Sequence, residues 1–308
     1  KEIRETDPKK LAFFTGRDQS QALTGWWAQQ FGTPNFAAHG GFCSVNMAAG
    51  GIYTLGGAFW EFGSPDWERT ELFLLFGVAE DHASNPLKIG LGKLKQRGVK
   101  TISINPVRTG YSAVADEWLA ITPGTDGLLI MALIQELLKN GNVDLEFLIR
   151  YTNSAWLVID NPGHSDHGLF ERDADGNTLV LTRESDVPIN HADVGTNARL
   201  KGRIKRPSGG QLVTVFELMI QEWLDPKWSA EQTQSVTGIP SAQVKSLAAE
   251  LATVAFEKEI ELPIEWTDWK GEKHETVKGR PISMHAMRGI SAHSNGFQTC
   301  RALHVLQL

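Results

Sequence analysis

The sequence predicts an α/β fold in which a parallel, doubly wound, Rossmann-like sheet carries helices on both faces. In the first half of the chain, short and continuously apolar runs alternate with helical stretches. Each run ends in a loop that is rich in Gly, Pro, Asn, Asp or Thr. Continuous apolar strands that alternate with helices are typical of βαβ units, whose strands are buried on both faces. A length of 308 residues allows about two domains.

Four apolar runs predict the strands of this sheet, and helical stretches follow three of them. The predicted strands cover residues 11–14, 71–76, 101–104 and 118–121, and the predicted helices cover 20–31, 86–97 and 128–139. In open parallel sheets, ligands bind outside the carboxyl ends of the strands. We therefore expect the loops after these runs to form a binding edge.

From residue 151 onward the alternation weakens. The run Asp173-Ala174-Asp175-Gly176-Asn177 predicts a hairpin turn, and residues 261–280 predict a second hairpin. Residues 183–210 are polar and predict a loop. Further helices are predicted over 212–223, 229–236 and 241–254, the second with Ser229 and Gln232 in a capping box.

Composition excludes several classes of protein. The net charge of −6 argues against a nucleic-acid surface, which usually needs a basic face, so no nucleic-acid partner is expected. The sequence has no apolar run of about 18 residues, so we expect no direct membrane insertion. Its two cysteines, Cys43 and Cys300, cannot form a disulfide framework or a four-cysteine metal site within the chain.

The segment from Gln19 to Trp60 contains no Asp, Glu, Lys or Arg but has eight glycines. A buried, tightly packed segment explains this composition, and so does backbone wrapped around a bulky ligand, because glycine permits close approach. A second ambiguous segment is His164-Ser165-Asp166-His167, which offers metal ligands but also suits an exposed polar turn.

Five short segments follow one another in a recognisable order. They are Gly32-Thr33-Pro34-Asn35 with His39-Gly40-Gly41-Phe42-Cys43-Ser44, Leu75-Phe76-Gly77-Val78-Ala79-Glu80 with Ser84-Asn85-Pro86, Ile104-Asn105-Pro106-Val107-Arg108-Thr109 with Ala115-Asp116, Pro123-Gly124-Thr125-Asp126-Gly127, and Arg288-Gly289-Ile290-Ser291-Ala292-His293-Ser294-Asn295-Gly296. Their order and spacing resemble the molybdopterin oxidoreductase family of the dimethyl-sulfoxide-reductase type. Within that family, Cys43-Ser44 and residues 153–163 look most similar to sulfite dehydrogenases and polysulfide or thiosulfate reductases.

The resemblance implies a bis(molybdopterin guanine dinucleotide) cofactor that carries molybdenum or tungsten. It assigns Cys43 as the metal ligand and catalytic residue, because a thiolate is a soft donor suited to a metal already bound by dithiolenes. The implied cofactor-binding residues are Arg17, Gly77, Val78, Glu80, Asn105, Pro106, Arg108, Gly124, Thr125, Asp126, Gly289, Ser291 and His293.

Three of these residues also have a purely structural interpretation. Asp126 suits the donor edge of guanine, but it also suits a helix N-cap. Arg108 suits a phosphate, but it also suits a surface ion pair with Asp116 or Glu117. Cys43 taken alone is as consistent with an inert buried thiol, and Cys300, in an apolar helical pattern, is predicted to be a core residue.

The resemblance implies two-electron oxygen-atom transfer on a small oxyanion, such as sulfite, polysulfide or thiosulfate. Formate dehydrogenase or nitrate reductase of the same family, or a non-catalytic nucleotide-binding scaffold, are the alternatives. Ser44 counts against formate oxidation, because formate dehydrogenases have histidine directly after the metal ligand. Asn105 stands where the family usually has aspartate.

The chain has no initiator methionine and stops inside an apolar helical pattern, so we expect a central fragment of a longer subunit. A [4Fe-4S] cluster is expected in the N-terminal part of that subunit. Its expected partners are an iron–sulfur electron-transfer subunit plus a membrane-anchor subunit. We divide the chain into a cofactor-binding α/β domain (1–150), a mixed helix and hairpin region (151–280), and a return segment (281–308) that holds a cofactor-contacting loop and a truncated helix.

Overall fold

The computed structural model describes residues 1–16, 21–39, 45–57, 65–78, 85–108, 110–286 and 288–308. Its helices are α1 (Glu2–Thr6), α2 (Gln21–Phe31), α3 (Val45–Leu55), α4 (Asn85–Gln96), α5 (Tyr111–Val114), α6 (Asp126–Lys139), α7 (Leu145–Tyr151), α8 (His191–Val194), α9 (Val215–Trp223), α10 (Ala230–Thr237), α11 (Ser241–Glu257), α12 (Arg288–Ser291) and α13 (Gly296–Gln307). Its strands are β1 (Phe13–Thr15), β2 (Phe36–Ala38), β3 (Leu72–Phe76), β4 (Lys100–Ile104), β5 (Glu117–Leu119), β6 (Leu157–Asp160), β7 (Leu179–Val180), β8 (Ile189–Asn190), β9 (Arg203–Lys205), β10 (Gln211–Thr214), β11 (Ile260–Leu262), β12 (Trp266–Thr267), β13 (Lys273–His274), β14 (Val277–Gly279) and β15 (Ile282–Ala286).

The described residues form two compact units. The first comprises residues 1–130, 236–239 and 253–307, and the second comprises 131–235, 240–252 and 308. The first unit is built on a four-stranded parallel sheet in the order β15-β3-β4-β5. None of the described helices is both long and apolar enough to cross a membrane.

Strand β3 is the buried centre of this sheet. All five of its residues are buried, as expected for a parallel strand covered on both faces. A core cluster beside the strand joins it to α4 and to the loops around it, and its members are Phe73, Leu75, Val78, Leu87, Leu91, Leu94, Val99 and Tyr111, with Trp67 packed against them. The continuous apolar run therefore correctly predicted a buried strand.

The strand order reverses direction at β3. From β3 the chain proceeds through β4 to β5 on one side, whereas β15 pairs with β3 on the other side. In parallel α/β sheets such a reversal opens a crevice at the carboxyl ends of the two strands, where ligands bind. Gly77 follows β3 with φ of +59°, and Gly289 lies so close that an added Cβ would overlap the Gly77 carbonyl oxygen.

Two details of the predicted sheet are wrong. The first apolar run, 11–14, does give strand β1, but β1 pairs with β2 in a separate two-stranded parallel sheet. The position beside β3 is filled instead by β15, which the sequence did not reveal as a strand. The apolar pattern of a segment predicts a strand. Which strand it pairs with depends on packing between residues far apart in the sequence.

The second unit contains a three-stranded antiparallel sheet in the order β6-β10-β9. The helix predicted over 212–223 is wrong in its first turn, because Gln211–Thr214 forms β10 and pairs with both neighbours. Thr214 ends the strand and caps α9, since its Oγ1 accepts a hydrogen bond from the Glu217 amide at 3.4 Å. Leu212 and Val213 are buried in the sheet, so tertiary pairing overrides a helical pattern.

The loop predicted over 183–210 is also wrong in part, since it contains β8, α8 and β9. The turn at Asp173 is confirmed, because the Asp173 amide donates to the Asn177 carbonyl at 3.0 Å. The predicted hairpin over 261–280 is confirmed as two nested strand pairs, β11 with β14 and β12 with β13. The Ser229 cap is confirmed through a 3.2 Å hydrogen bond from the Gln232 amide to Ser229 Oγ.

The close approach of Gly289 to Gly77 leads to a stability prediction. We expect Gly289→Ala to destabilise the protein by about 1–3 kcal/mol, because the new methyl group overlaps a backbone carbonyl that cannot rotate away. Gly92→Ala is the matched control, since no atom lies within 4 Å of its added Cβ inside helix α4. That control should stabilise by up to about 1 kcal/mol. Urea unfolding measures both, and equal stability of the two variants would contradict the packing described.

Candidate functional site

The carboxyl edge of the parallel sheet gathers most of the described residues that the sequence predicted as a site. Gly77 and Val78 follow β3, and Asn105 follows β4. The Gly77 amide donates to the Ile104 carbonyl at 2.9 Å, which extends the β3–β4 pairing to the tip of the sheet. Gly289, after β15, completes this edge on the other side of β3.

Asn105 fastens two neighbouring loops together. Its Nδ2 donates to the Val78 carbonyl at 3.1 Å, and its Oδ1 accepts from the Val107 amide at 3.1 Å. An aspartate could accept the second hydrogen bond but could not donate the first. The amide that replaces the usual family aspartate thus has a structural use, and direct contact of Asn105 with a cofactor stays a prediction.

Pro106 and Arg108 are exposed on the same turn. The Arg108 guanidinium lies over the Trp118 ring, with Cζ 5.7 Å from the ring centroid. The two carboxylates that the sequence offers as alternative partners have other contacts: Asp116 accepts from the Thr101 amide at 2.7 Å, and Glu117 pairs with Lys100 at 3.1 Å. An exposed cation–π contact contributes about 0.5–1 kcal/mol, so it orients the arginine without neutralising its charge.

Thr125 lies at the start of helix α6. Thr125 Oγ1 donates to the Thr122 carbonyl at 2.7 Å, and the Thr125 carbonyl accepts from the Leu129 amide at 3.3 Å. Because Thr125 accepts the first helical hydrogen bond, it occupies the N-cap position and Asp126 is the first helical residue. The N-cap interpretation of Asp126 is therefore wrong, since Asp126 lies one position inside the helix.

Asp126 is a buried carboxyl group, with only 6% of its surface exposed. Burial raises its pKa, while its own backbone N–H and the nearby His293 oppose that rise. Desolvation disfavours the charged form, so this carboxylate costs free energy unless donors reach it. A buried carboxyl group with a shifted pKa, placed where a loop meets the start of a helix, is typical of a binding site.

Segment 288–296 connects the two parts of the edge. At its start Gly289 contacts Gly77, and near its end Asn295 Nδ2 donates to the Gly124 carbonyl at 3.0 Å. The exposed His293 ring lies against Gly124, where an added Cβ would be 3.5 Å from Nδ1. The buried Ser291 accepts at its carbonyl from Asn46 Nδ2 at 2.8 Å.

Three predicted site residues, Arg17, Cys43 and Glu80, lie outside the described residues. Helix α3, which begins two residues after Cys43 in the sequence, is tied to segment 288–296 through Asn46. The roles of these three residues stay predictions.

The second cysteine is a core residue, as predicted. Cys300 is fully buried in α13, and burial raises the pKa of its thiol to about 12. An added Cβ on Gly50 of α3 would stand 2.9 Å from Cys300 Cβ, so the two helices pack closely at this point. Of the two explanations for the glycine-rich segment, close packing is therefore the one that applies to Gly50.

Two other groups of polar side chains form hydrogen-bonded turns. In the second unit, His164 hydrogen-bonds to Asp166, whose carboxylate also pairs with Arg206. In the first unit, Asp268, Glu272 and His274 present ligand atoms within 4.8 Å of one another. Asp268 there accepts from the Glu272 amide at 2.9 Å and lies 3.1 Å from His274 Nε2, which accounts for the hairpin turn.

Sequence reasoning missed three residues that shape this edge: Asn46, Trp118 and Asn295. Asn295 belongs to one of the five recognisable segments, but a hydrogen bond across 171 positions of sequence leaves no local pattern. Asn46 follows the predicted cysteine ligand, and its position alone could have drawn attention. Trp118 belongs to an apolar run that predicts a strand and nothing more.

The family profile described as Molybdopterin oxidoreductase matches residues 11–308. The chain therefore belongs to the molybdopterin oxidoreductase family, and the predicted resemblance is confirmed. Membership implies a molybdenum–molybdopterin cofactor.

Individual relatives agree with the family assignment. The chain is 54% identical to the A subunit of sulfite dehydrogenase from Allochromatium vinosum, over 99% of this chain and 32% of that protein. It is 26% identical to the A subunit of tetrathionate reductase from Salmonella typhimurium, over 71% of this chain and 24% of that protein. The chain thus spans about a third of the length of the first relative.

A solved structure confirms the fold. Acetylene hydratase from Pelobacter acetylenicus matches 99% of this chain and 30% of its own, with a TM-score of 0.55 and 15% sequence identity. At that identity the likeness concerns the fold alone, and it agrees with the predicted α/β class.

The described residues fit a molybdopterin group at the carboxyl edge. Gly77 and Gly289 leave backbone without side chains at the crevice between β3 and β15. Asp126 offers a buried carboxyl group, and Arg108 offers an exposed cation on the same edge. A polar ligand with both anionic and donor groups suits this set of side chains.

The raised pKa of Asp126 predicts how stability depends on pH. Because its folded pKa lies above the unfolded value, ionised Asp126 lowers stability as pH rises through the folded pKa. We expect Asp126→Asn to make the cofactor-free, full-length protein more stable at pH 7, with the advantage lost below about pH 4, where the unfolded carboxyl group is protonated too. Thermal unfolding across this pH range measures the difference.

Asp116→Asn is the matched control for this prediction. Its carboxylate accepts the Thr101 amide hydrogen bond, and a neutral amide oxygen accepts it more weakly than a charged carboxylate, so the same substitution should lower stability at pH 7. A loss of stability in Asp126→Asn at neutral pH would show that the Asp126 carboxylate is satisfied within the protein.

Proposed function

We propose that the chain is part of the catalytic subunit of a molybdenum or tungsten enzyme that transfers an oxygen atom to or from a small sulfur oxyanion. The cofactor is bis(molybdopterin guanine dinucleotide), held along the carboxyl edge of the parallel sheet. Sulfite is the preferred substrate, on the strength of 54% identity to a protein described as part of a sulfite dehydrogenase. Two other relatives are described as tetrathionate and thiosulfate reductases.

The observation that carries the proposal is the buried carboxyl group of Asp126. Guanine presents its N1–H and N2–H₂ groups side by side, and a carboxylate accepts such a pair of donors. These donors favour the charged form of a group whose pKa burial has raised. Guanine binding therefore offsets the desolvation that Asp126 undergoes on folding, and Thr125, not Asp126, occupies the N-cap position of the helix.

The phosphates of the cofactor have a binding surface of their own. Arg108 presents an exposed guanidinium at the edge of the sheet, and a guanidinium binds phosphate through paired hydrogen bonds. Helices α4 and α6 both begin at this edge, and the partial positive charge of a helix N-terminus attracts anions. Gly77 and Gly289 allow the ligand to approach the backbone directly.

Cys43 is the proposed metal ligand, three positions before Asn46 in the sequence. The bound cofactor supplies the two-electron redox chemistry and the oxygen-atom transfer. The chain binds it, orients it and shields it from water. In the direction of sulfite oxidation, sulfite and water give sulfate, two protons and two electrons.

The electrons require partners. Two relatives are named as single subunits, which implies further subunits in those proteins. We propose a membrane-anchor subunit that holds the complex at a membrane, together with an iron–sulfur electron-transfer subunit. We also propose a [4Fe-4S] cluster in the catalytic subunit, on the N-terminal side of Lys1.

Metal and nucleotide content test the proposal directly. The full-length protein, purified after expression with molybdate, is expected to contain about one metal atom and two guanine nucleotides per chain, and to reduce an artificial electron acceptor when sulfite is added. Folded protein with neither metal nor guanine nucleotide would support a scaffold instead. Turnover of formate or nitrate, with none of sulfite, tetrathionate or thiosulfate, would contradict the substrate class.

The two cysteines provide a matched pair of variants. We expect Cys43→Ala to abolish turnover and keep most of the bound guanine nucleotide, because the metal ligand is lost while the nucleotide contacts remain. Cys300→Ala should keep turnover, since that thiol is buried in α13 and its pKa of about 12 keeps it neutral. Activity assays with nucleotide analysis compare the two, and full activity of Cys43→Ala would remove Cys43 from its role.

A further inference from the structure

Trp118 lies in β5 beside the predicted phosphate site, although no motif points to it. It stands opposite Ser103 in the β4–β5 pairing, and its side chain is half-buried. Its neighbour Leu119 is fully buried in the sheet. Because successive side chains of a strand point to opposite faces of the sheet, the Trp118 side chain lies on the opposite face from the buried Leu119 side chain.

Two contacts link Trp118 to the turn after β4. The indole Nε1–H donates to the Asn105 carbonyl at 2.7 Å. Arg108 Cζ lies over the indole ring, 5.7 Å from the ring centroid. One side chain therefore holds the beginning of the turn through a hydrogen bond and the end of the turn through its aromatic face.

The turn itself is held on its other side by Asn105. The Asn105 amide reaches the Val78 carbonyl after β3, and its Oδ1 accepts from the Val107 amide. The backbone that carries Arg108 is thus tied to both neighbouring strands. The backbone does not determine the direction of the long arginine side chain, because that side chain has several rotatable bonds.

An aromatic ring directs an arginine differently from a carboxylate. A carboxylate occupies the N–H groups and neutralises the charge. A ring contacts the flat face of the guanidinium, so the N–H groups at its edge and the positive charge stay available to an anion. Asp116 and Glu117, the nearest carboxylates in sequence, are engaged by the Thr101 amide and by Lys100.

We propose that Trp118 is a positioning residue that holds the Arg108 guanidinium against its ring and presents the edge of that guanidinium to a phosphate of the dinucleotide cofactor. The inference rests on the proposed function, since it needs a phosphate-bearing ligand at this edge. Trp118 acts through Arg108, and its indole N–H steadies the turn on which Arg108 stands.

A double-mutant cycle in the full-length holoenzyme tests the inference. The variants are Trp118→Leu, Arg108→Gln and the combination of both, and the measurement is the rate at which guanine nucleotide leaves the protein in about 0.5 M salt, where exposed charges are screened. Trp118→Leu should speed release by about 2- to 5-fold, the range expected for loss of one cation–π contact. In the Arg108→Gln background, the same substitution should have no further effect.

Trp118→Phe separates the ring from the indole N–H. It keeps an aromatic face but cannot donate to Asn105, so it should release nucleotide more slowly than Trp118→Leu. If Trp118→Leu fails to fold, Trp118→Phe is compared in both Arg108 backgrounds, and its smaller effect should likewise vanish when Arg108 is replaced. The inference can then still be tested with variants that fold.

Different outcomes overturn different claims. Equal acceleration by Trp118→Leu in both backgrounds would overturn the positioning role, because Trp118 would then only stabilise the strand and the turn. Unchanged release in Trp118→Leu would overturn it as well. A wild-type protein that contains no guanine nucleotide would overturn the proposed function itself, and the inference with it.

Discussion

The described site depends on the close approach of two strand ends at the carboxyl edge of the parallel sheet. Gly289 lies so near the Gly77 carbonyl that only hydrogen fits between them. This contact lies just beyond the pairing of β3 with β15, a strand from the far end of the chain, and that pairing creates the reversal of strand order. It also fixes the start of segment 288–296, which then reaches Gly124 through Asn295 and helix α3 through Asn46.

A second constraint is the burial of an ionisable group. Natural proteins seldom bury an aspartate unless hydrogen-bond donors or an opposite charge compensate for the lost water. Burial raises the pKa of Asp126, so the folded chain loses some stability at neutral pH by holding this group at the edge of the sheet. Such local costs concentrate at binding sites, where a ligand later offsets them. Thr125, the residue before Asp126, has a partner for its own hydroxyl group, which donates to the Thr122 carbonyl.

Much of this edge could be predicted from the sequence because its signals are local. The apolar runs at 71–76 and 101–104 gave β3 and β4, and the loops that follow them are the ones that meet in space. The prediction failed where the partner of a segment mattered: β1 left the main sheet, β15 entered it, and Gln211–Thr214 became a strand. Hydrogen-bond pairing depends on which surfaces a strand can bury, and that information is spread over the whole chain.

The sequence by itself determined the family, the α/β class and the candidate residues, because the recognised motifs are runs of adjacent residues whose chemistry is visible without a structure. Only the tertiary structure decided that Thr125 and not Asp126 occupies the N-cap position of α6, that the Asn105 amide donates to the Val78 carbonyl, and that Arg108 lies over the Trp118 ring. The physical reason is that burial, the direction of hydrogen-bond donors and contacts with aromatic rings all depend on how segments far apart in the sequence are arranged in space. A sequence records which groups are present, and folding determines which of them meet.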